Sequence, residues 1–250
     1  MAVYNEAHTV ADVIEQVLKL DLGDRRLELI IVESNSTDGT RDIVRSFEDV
    51  PGVKVIYQDK PQGKGFAVRA GMGAALGDVV LIQDGDLEYS VSDYPALLKP
   101  IELGETSFVL GSRHVRGRPI RHFADARVTG FVLNTAHWGF TALFDLTYGV
   151  RLRDPFTMYK VFRRECVEGL EFTSNRFDFD WELVAKLIRC GHRPIEVPVT
   201  YTSRDFKSGK KVRMWRDPVT WIVACAKFRV APIVRRSATD PDETTPASST

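Results

Sequence analysis

Short apolar runs alternate with amphipathic stretches through the first half of the chain. Leu27 to Val32 is an apolar run bounded by charge, and it predicts a buried strand. Val53–Tyr57, Val79–Gln83 and the shorter Phe108–Leu110 repeat the pattern. Between them the spacing becomes helical. Thr9 to Leu20 places Val10, Val13, Ile14, Val17 and Leu18 on one face. Asp38 to Phe47 follows the cap residues Ser36 and Thr37; Lys64–Ala75 and Ser92–Leu103 complete the series. Strand and helix alternating at this spacing predict an α/β fold with a mostly parallel sheet covered by helices. Ligands of such sheets bind beyond the carboxyl ends of the strands, so the loops that follow each strand are where chemistry is expected.

The second half is less regular. Helices are predicted over about Asp125–Tyr148 and Asp180–Cys190, a compact stretch over Asp154–Arg164 and a strand over Pro194–Tyr201. Residues 237–250 are rich in Ser, Thr, Pro and acid, and are expected to be a disordered tail. The remainder, 1–236, is expected to form one domain.

Composition narrows the function classes. The chain has 250 residues, 44% of them hydrophobic, with 34 basic and 34 acidic side chains. That excludes a disordered chain, and the zero net charge argues against a nucleic-acid binder. Three cysteines (Cys166, Cys190, Cys225) are too few for a disulfide scaffold and fit a reduced, cytoplasmic compartment. The N-terminus shows no secretory signal, and polar residues interrupt every apolar run before it reaches a membrane-spanning length of roughly 18 residues. The chain is therefore expected not to span a bilayer, although it can lie on one.

Four successive strand-end loops carry the candidate chemistry. The loop after Val79–Gln83 reads Asp84-Gly-Asp-Leu-Glu88. Asp84 and Asp86, with Glu88 as a third oxygen donor, suit Mg²⁺ or Mn²⁺ held jointly with phosphates; the plainer alternative is a solvated acidic turn. Glu33 can accept hydrogen bonds from a base edge, Asp38 either joins the site or caps its helix, and Lys64 in Gly63-Lys-Gly65 can meet a phosphate. Two basic stretches stand out: Arg113–Arg127, with Arg113, Arg116, Arg118, Arg121 and Arg127, and Arg204–Arg216, with Arg204, Lys207, Lys210, Lys211, Arg213 and Arg216. They read either as solvated loops or as holders of a phosphate, which the planar arginine fork suits. Phe131–Tyr148, rich in aromatic residues, reads as a core helix or as an interfacial one. Asp154, Asp178, Asp180 and Glu182 are the carboxylates available as a general base, which a hydroxyl acceptor needs and a phosphate acceptor does not. The five histidines are scattered along the chain.

These pieces together resemble the family-two glycosyltransferases of GT-A fold, and within them the dolichol-phosphate mannose synthase and polyprenyl-phosphate glycosyltransferase branch. The matching segments are Tyr4-Asn-Glu6, Glu33-Ser-Asn-Ser-Thr-Asp-Gly-Thr40, Gly63-Lys-Gly65, Gln83-Asp-Gly-Asp-Leu-Glu88, Gly111-Ser-Arg113, Tyr159-Lys-Val-Phe-Arg163 and Phe179-Asp-Trp-Glu182. The resemblance implies that Tyr4, Glu6 and Glu33 line the base and ribose, and that Asp84 and Asp86 meet the diphosphate and its metal. It places Arg113 near the acceptor phosphate. The implied enzyme is inverting and metal-dependent. It moves mannose or glucose from GDP-mannose or UDP-glucose to a polyprenyl phosphate at the cytoplasmic membrane face, with Asp86, Arg113 and Asp154 as the catalytic candidates. Arg113, Arg127, Arg204 and Lys210 then hold the acceptor phosphate, Asp38 and Lys64 join the donor site, and the domain divides into a nucleotide-sugar-binding donor half (1–112) and an acceptor-binding half (113–236). A soluble hydroxyl acceptor, with Asp154 or Asp180 as base, and a non-catalytic nucleotide-binding protein are the alternatives. Two departures are visible: a lone Glu33 where the family usually has an acidic pair, and only Met1-Ala-Val3 preceding Tyr4 in the first strand.

Overall fold

A computed structural model describes residues 1–114, 127–176, 178–203 and 217–235, with backbone alone for 127–133 and 217–221. Three parallel strands, β1 (Ala2–Val3), β2 (Leu29–Glu33) and β3 (Val53–Tyr57), lie in the order β1-β2-β3. Four more, β4 (Val79–Leu81), β5 (Phe108–Ser112), β6 (Lys160–Arg163) and β7 (Ile195–Pro198), lie in the order β4-β6-β5-β7. A parallel bridge between Ala2 and Asp84 joins the two runs. β6 is antiparallel to β4 and β5, while β5 and β7 are parallel. The predicted donor and acceptor halves thus interleave, since β4 from the first pairs with β6 from the second.

Helices α1 (Val10–Lys19), α2 (Thr40–Arg45), α3 (Lys64–Ala74) and α4 (Tyr94–Glu102) fall where the apolar spacing predicts them. α2 is shorter than expected because Gly39, at φ 95°, takes the left-handed conformation and delays the helix to Thr40. Helices α5 (Arg127–Tyr148), α6 (Asp178–Arg189) and α7 (Asp217–Val230) complete the fold. None of the described helices is long and apolar enough to cross a membrane. The compact stretch predicted over Asp154–Arg164 contains β6.

The period of two along each strand divides the core. Ile31, Val109 and Val161 face Val13, Ile14, Val44, Leu97 and Ile101 from α1, α2 and α4. Their sequence neighbours Phe108, Leu110 and Phe162 face the other way, onto Val68 of α3, Phe144 of α5, Trp181 and Leu183 of α6, and Phe228 of α7. Helices on both faces leave the carboxyl-end loops as the open edge where ligands of such sheets bind.

β1 has two residues. Its ladder with β2 holds two residue pairs, against five between β2 and β3. A groove of about 650 Å³, lined in part by Leu29, Ile30, Val80 and Ile82, lies beside it.

In β5 the backbone of Gly111 approaches its neighbours closely. An added Cβ would stand 2.7 Å from Tyr159 Cβ and 2.8 Å from Val199 Cγ1. Gly111→Ala is therefore expected to destabilise the fold by about 1–3 kcal/mol, as overpacking does. Urea unfolding measures this, and an unchanged midpoint would contradict the packing described.

Candidate functional site

The first two carboxyl-end loops are laced together. Asn5 and Asn35 take left-handed φ values of 53° and 57°, which asparagine tolerates better than most residues. The Asn5 amide donates to Ser36 Oγ at 3.0 Å, and the Thr37 amide returns a bond to Asn5 Oδ1 at 2.9 Å. The Glu6 amide donates to Thr40 Oγ1 at 2.9 Å. Asp38 accepts from the Ala7 amide at 3.1 Å and from the Thr40 amide at 3.1 Å, so it both starts α2 and ties it to the first loop. Burial raises the Asp38 carboxyl, but the hydrogen bonds from Thr40 and Ala7 outweigh it and lower the pKa. Tyr4 and Glu6 are half-buried on the same loop.

Glu33 differs from its sequence expectation. Its carboxylate is fully buried and accepts from the Asn35 and Ser36 amides at 3.2 and 2.7 Å. Arg41 forms an ion pair with it at 2.8 Å. Arg41 also donates to Asn35 Oδ1 and to the Gln58 carbonyl, both at 3.0 Å, and lies 5.0 Å from the centroid of the Tyr57 ring. Instead of presenting a bare carboxylate to a base, Glu33 fixes the shape of its own loop. The sequence reading missed Arg41; its signal was a lone arginine on the first turn of α2.

The acidic loop lies at the middle of the sheet. The Ala2 bridge fixes Asp84, and Gly85 O accepts from Thr9 Oγ1 at 2.8 Å, tying the loop to the start of α1. Asp86 is buried, and its Oδ1 accepts from the Glu88 amide at 3.0 Å. Lys64, the first residue of α3, sets its ammonium 2.6 Å from Asp84 Oδ1 and 2.7 Å from Oδ2. Burial alone would lower the Lys64 pKa, yet the charge of Asp84, with those of Asp180 and Asp86, outweighs it and raises the pKa. Glu88 Oε2 accepts from Tyr201 Oη at 3.2 Å. The sequence grouped Asp84, Asp86 and Glu88 as one ligand set; among the described residues no three acidic, histidine or cysteine side chains converge as a metal-binding group.

On the acceptor side the geometry corrects two expectations. Arg113 Nε and Nη2 each lie 2.7 Å from an oxygen of Asp154, and the Arg113 amide donates to Asp154 Oδ2 at 3.0 Å. Both side chains are buried, with Asp154 wholly so. The arginine fork expected to grip a phosphate thus holds Asp154, and the carboxylate expected to act as a base is locked by it. Burial raises the Asp154 carboxyl, but Arg113 outweighs it and holds the pKa at about 2, which makes a poor proton acceptor. Glu196 accepts from the Arg153 and Asp154 amides at 2.9 and 2.7 Å and pins this loop.

Glu182 is equally committed. It accepts from the Thr173 and Ser174 amides and pairs with Lys186 at 2.6 Å. Asp180 pairs with buried Lys160 at 2.8 Å and keeps 13% of its side chain exposed. Only the backbone of Arg127 is described, at the start of α5, and Arg204 and Lys210 lie outside the described residues. α5 has two characters: Phe144 is fully buried, while Trp138 and Leu146 are 52% and 85% exposed.

The scattered histidines partly converge. His114 and His137, 23 residues apart, bring their Nε2 atoms to 3.3 Å, and His137 Nε2 lies 3.8 Å from Asp154. No sequence spacing announces this, because the two come from different elements. Burial pushes the His137 imidazole down from 6.5 to about 4, with Asp154 opposing and Arg113 reinforcing the shift. The unfolded chain therefore takes up this proton first. The stability contributed by the neutral ring is complete above about pH 6.5 and is lost as pH falls toward 4, on the order of 3 kcal/mol in all. Asp154 adds a second loss between about pH 4 and 2, because its folded pKa lies below the unfolded one. Urea unfolding at stepped pH is expected to show the upper loss in the parent chain and a flatter profile in His137→Gln. A parent profile that is flat from pH 6.5 to 4 would contradict this.

Residues 1–170 match Glycosyl transferase family 2. Glycosyltransferase AglJ of Haloferax volcanii is 32% identical over 216 residues, 86% of this chain and 65% of that protein. The dolichol-phosphate mannosyltransferase of Pyrococcus furiosus is 26% identical over 203 residues, 80% of this chain and 55% of its own length. The chain thus spans under two thirds of both relatives. The crystal structure of glucosyl-3-phosphoglycerate synthase from Mycobacterium tuberculosis with Mn²⁺, UDP-glucose and phosphoglyceric acid matches with a TM-score of 0.65. It is 20% identical and covers 92% of this chain and 78% of that one, a likeness of fold. The mixed α/β sheet is the GT-A architecture that the motifs imply, and the chain belongs to glycosyl transferase family 2.

Proposed function

We propose that this chain transfers a hexose, with inversion, from a nucleoside diphosphate sugar to a polyprenyl phosphate, with a divalent cation held by Asp84 and Asp86. The observation that carries the reading is the concentration of carboxylates at the exit of β4. Asp84 there already engages a positive charge through both oxygens, and Asp86 and Asp180 lie close enough to act on the same ammonium. Such a site fits a cation. Two aspartates on one loop are hard oxygen donors, few in number, and Mg²⁺ or Mn²⁺ bound this way completes its shell with phosphate oxygens. The bound ion would offset the charge that grows on the leaving diphosphate.

The chain's own residues do the rest. The laced first and second loops, shaped by Glu33 and Asp38, present Tyr4 and Glu6 to the base and ribose. Lys64 stands where the diphosphate meets α3. Arg113 positions rather than binds: its pair with Asp154 fixes the exit of β5 beside the acceptor. The basic residues Arg127, Arg204 and Lys210 remain the proposed holders of the acceptor phosphate.

The state of the carboxylates favours an acceptor that is already ionised. Asp154 and Glu182 are buried and paired, so neither is free to take a proton from a hydroxyl. Exposed apolar side chains on two packed helices, Trp138 and Leu146 of α5 with Ile222 and Val223 of α7, supply surface for a lipid and for peripheral membrane contact. The second reading, a soluble hydroxyl acceptor, has one carboxylate in its favour: Asp180, which keeps some exposure.

Transfer from GDP-mannose or UDP-glucose to a short polyprenyl phosphate, followed by mass spectrometry with Mn²⁺ present, tests the reading. Asp86→Ala is expected to lower the rate by about 10²-fold or more while leaving the unfolding midpoint within a few degrees. Normal turnover by that variant would contradict the assignment. In the same assay Asp180→Asn is expected to lower transfer to the lipid phosphate far less than Asp86→Ala does. Transfer to phosphoglycerate alone, abolished by Asp180→Asn, would establish the second reading instead.

A further inference from the structure

The Lys64–Asp84 contact has a consequence for how the site loads. Lys64 has no freedom to withdraw through its backbone. An added Cβ on Gly63 would stand 2.3 Å from Asn175 O, and one on Gly65 would stand 2.5 Å from Phe179 Cβ and 2.8 Å from Ser174 O. The Phe66 amide also donates to Asn175 O at 3.2 Å. The first turn of α3 is thus packed directly onto Ser174, Asn175, Arg176 and Phe179, and only the lysine side chain can swing. Its ammonium touches both oxygens of Asp84 and lies 3.0 Å from Met158 Sδ. A divalent ion on those oxygens would sit against the ammonium, and two cations at such a distance repel.

We propose that Lys64 is a built-in competitor of the divalent cation at Asp84, and that the donor diphosphate draws it away, so that metal and nucleotide load cooperatively. The inference rests on the reading of Asp84 and Asp86 as metal ligands. Displacing the ammonium from Asp84 opposes binding of the ion alone. A diphosphate delivered to the same loop gives the displaced ammonium a new anion, and the opposition disappears. By linkage, the nucleotide strengthens metal binding by the same factor that the metal strengthens nucleotide binding. Lys64 therefore serves as a positioning residue that ties two loading steps together, and it keeps a half-buried carboxylate matched between turnovers.

Titration of the full chain with MnCl₂, followed by the electron paramagnetic resonance signal of free Mn²⁺ with and without GDP or UDP, tests the proposal. Lys64→Met is expected to bind Mn²⁺ alone about fivefold or more tightly than the parent, and to bind the nucleotide more weakly. Lys64→Arg, which keeps the charge, is expected to retain the parent's weaker Mn²⁺ binding. Lys60→Met, which removes a charge from an exposed position in the preceding loop, is expected to change nothing. Lys64→Gln runs in parallel in case the methionine variant does not fold. Unchanged or weaker Mn²⁺ binding by the Lys64 variants would overturn the competitor role. If Asp84→Asn nevertheless abolishes Mn²⁺ binding, the metal site stands and the competition alone falls. If neither parent nor variants take up Mn²⁺ with or without nucleotide, the metal site and the competition fall together.

Discussion

A charge taken out of water has to be matched, and the functional edge of this protein is built on that constraint. Glu33, Asp154 and Glu182 are each fully buried, and each is matched by one cation and by backbone amides: Arg41, Arg113 and Lys186 supply the charge. Removing one partner of such a pair costs about 3–5 kcal/mol, because the other is left uncompensated. These pairs are therefore scaffolding. They hold the loop after β2, the exit of β5 and the segment before α6 in single conformations.

What remains partly exposed is what can do chemistry. Asp84, paired with Lys64, and Asp180, paired with Lys160, keep some contact with solvent. Burial, rather than the type of cation, separates the pairs that fix geometry, Lys186 with Glu182 among them, from the Lys64–Asp84 pair proposed to exchange partners. It also explains why Arg113 looks like a phosphate ligand in the sequence but acts as a strut in the fold.

Much of this was legible in the chain itself. Short apolar runs alternating with stretches of helical spacing located β2 to β5 and α1 to α4 to within a few residues, because helices cover the sheet on both faces and each buries one stripe against it. The acidic loop stood out less by its two aspartates around a glycine than by its place in a series of polar strand-end loops. Other features were not legible. β6 is four residues, Lys160–Arg163, with a lysine buried in it, and no apolar run marks it. The Arg113–Asp154 pair spans 41 residues, and the His114–His137 contact spans 23. Such contacts depend on how the strands are ordered in the sheet, which local spacing does not encode. Glu33 was misjudged for a related reason: the amides and the arginine that occupy it lie on the turn that it organises.

The central claim is that Asp84 and Asp86 hold a divalent cation against the diphosphate of the donor. A crystal structure with Mn²⁺ and GDP or UDP, phased to show anomalous manganese density, tests it most directly. The account predicts one ion bridging at least one of those carboxylates and the phosphate oxygens, with Lys64 no longer on both oxygens of Asp84. Nucleotide bound with no manganese beside either aspartate would contradict it.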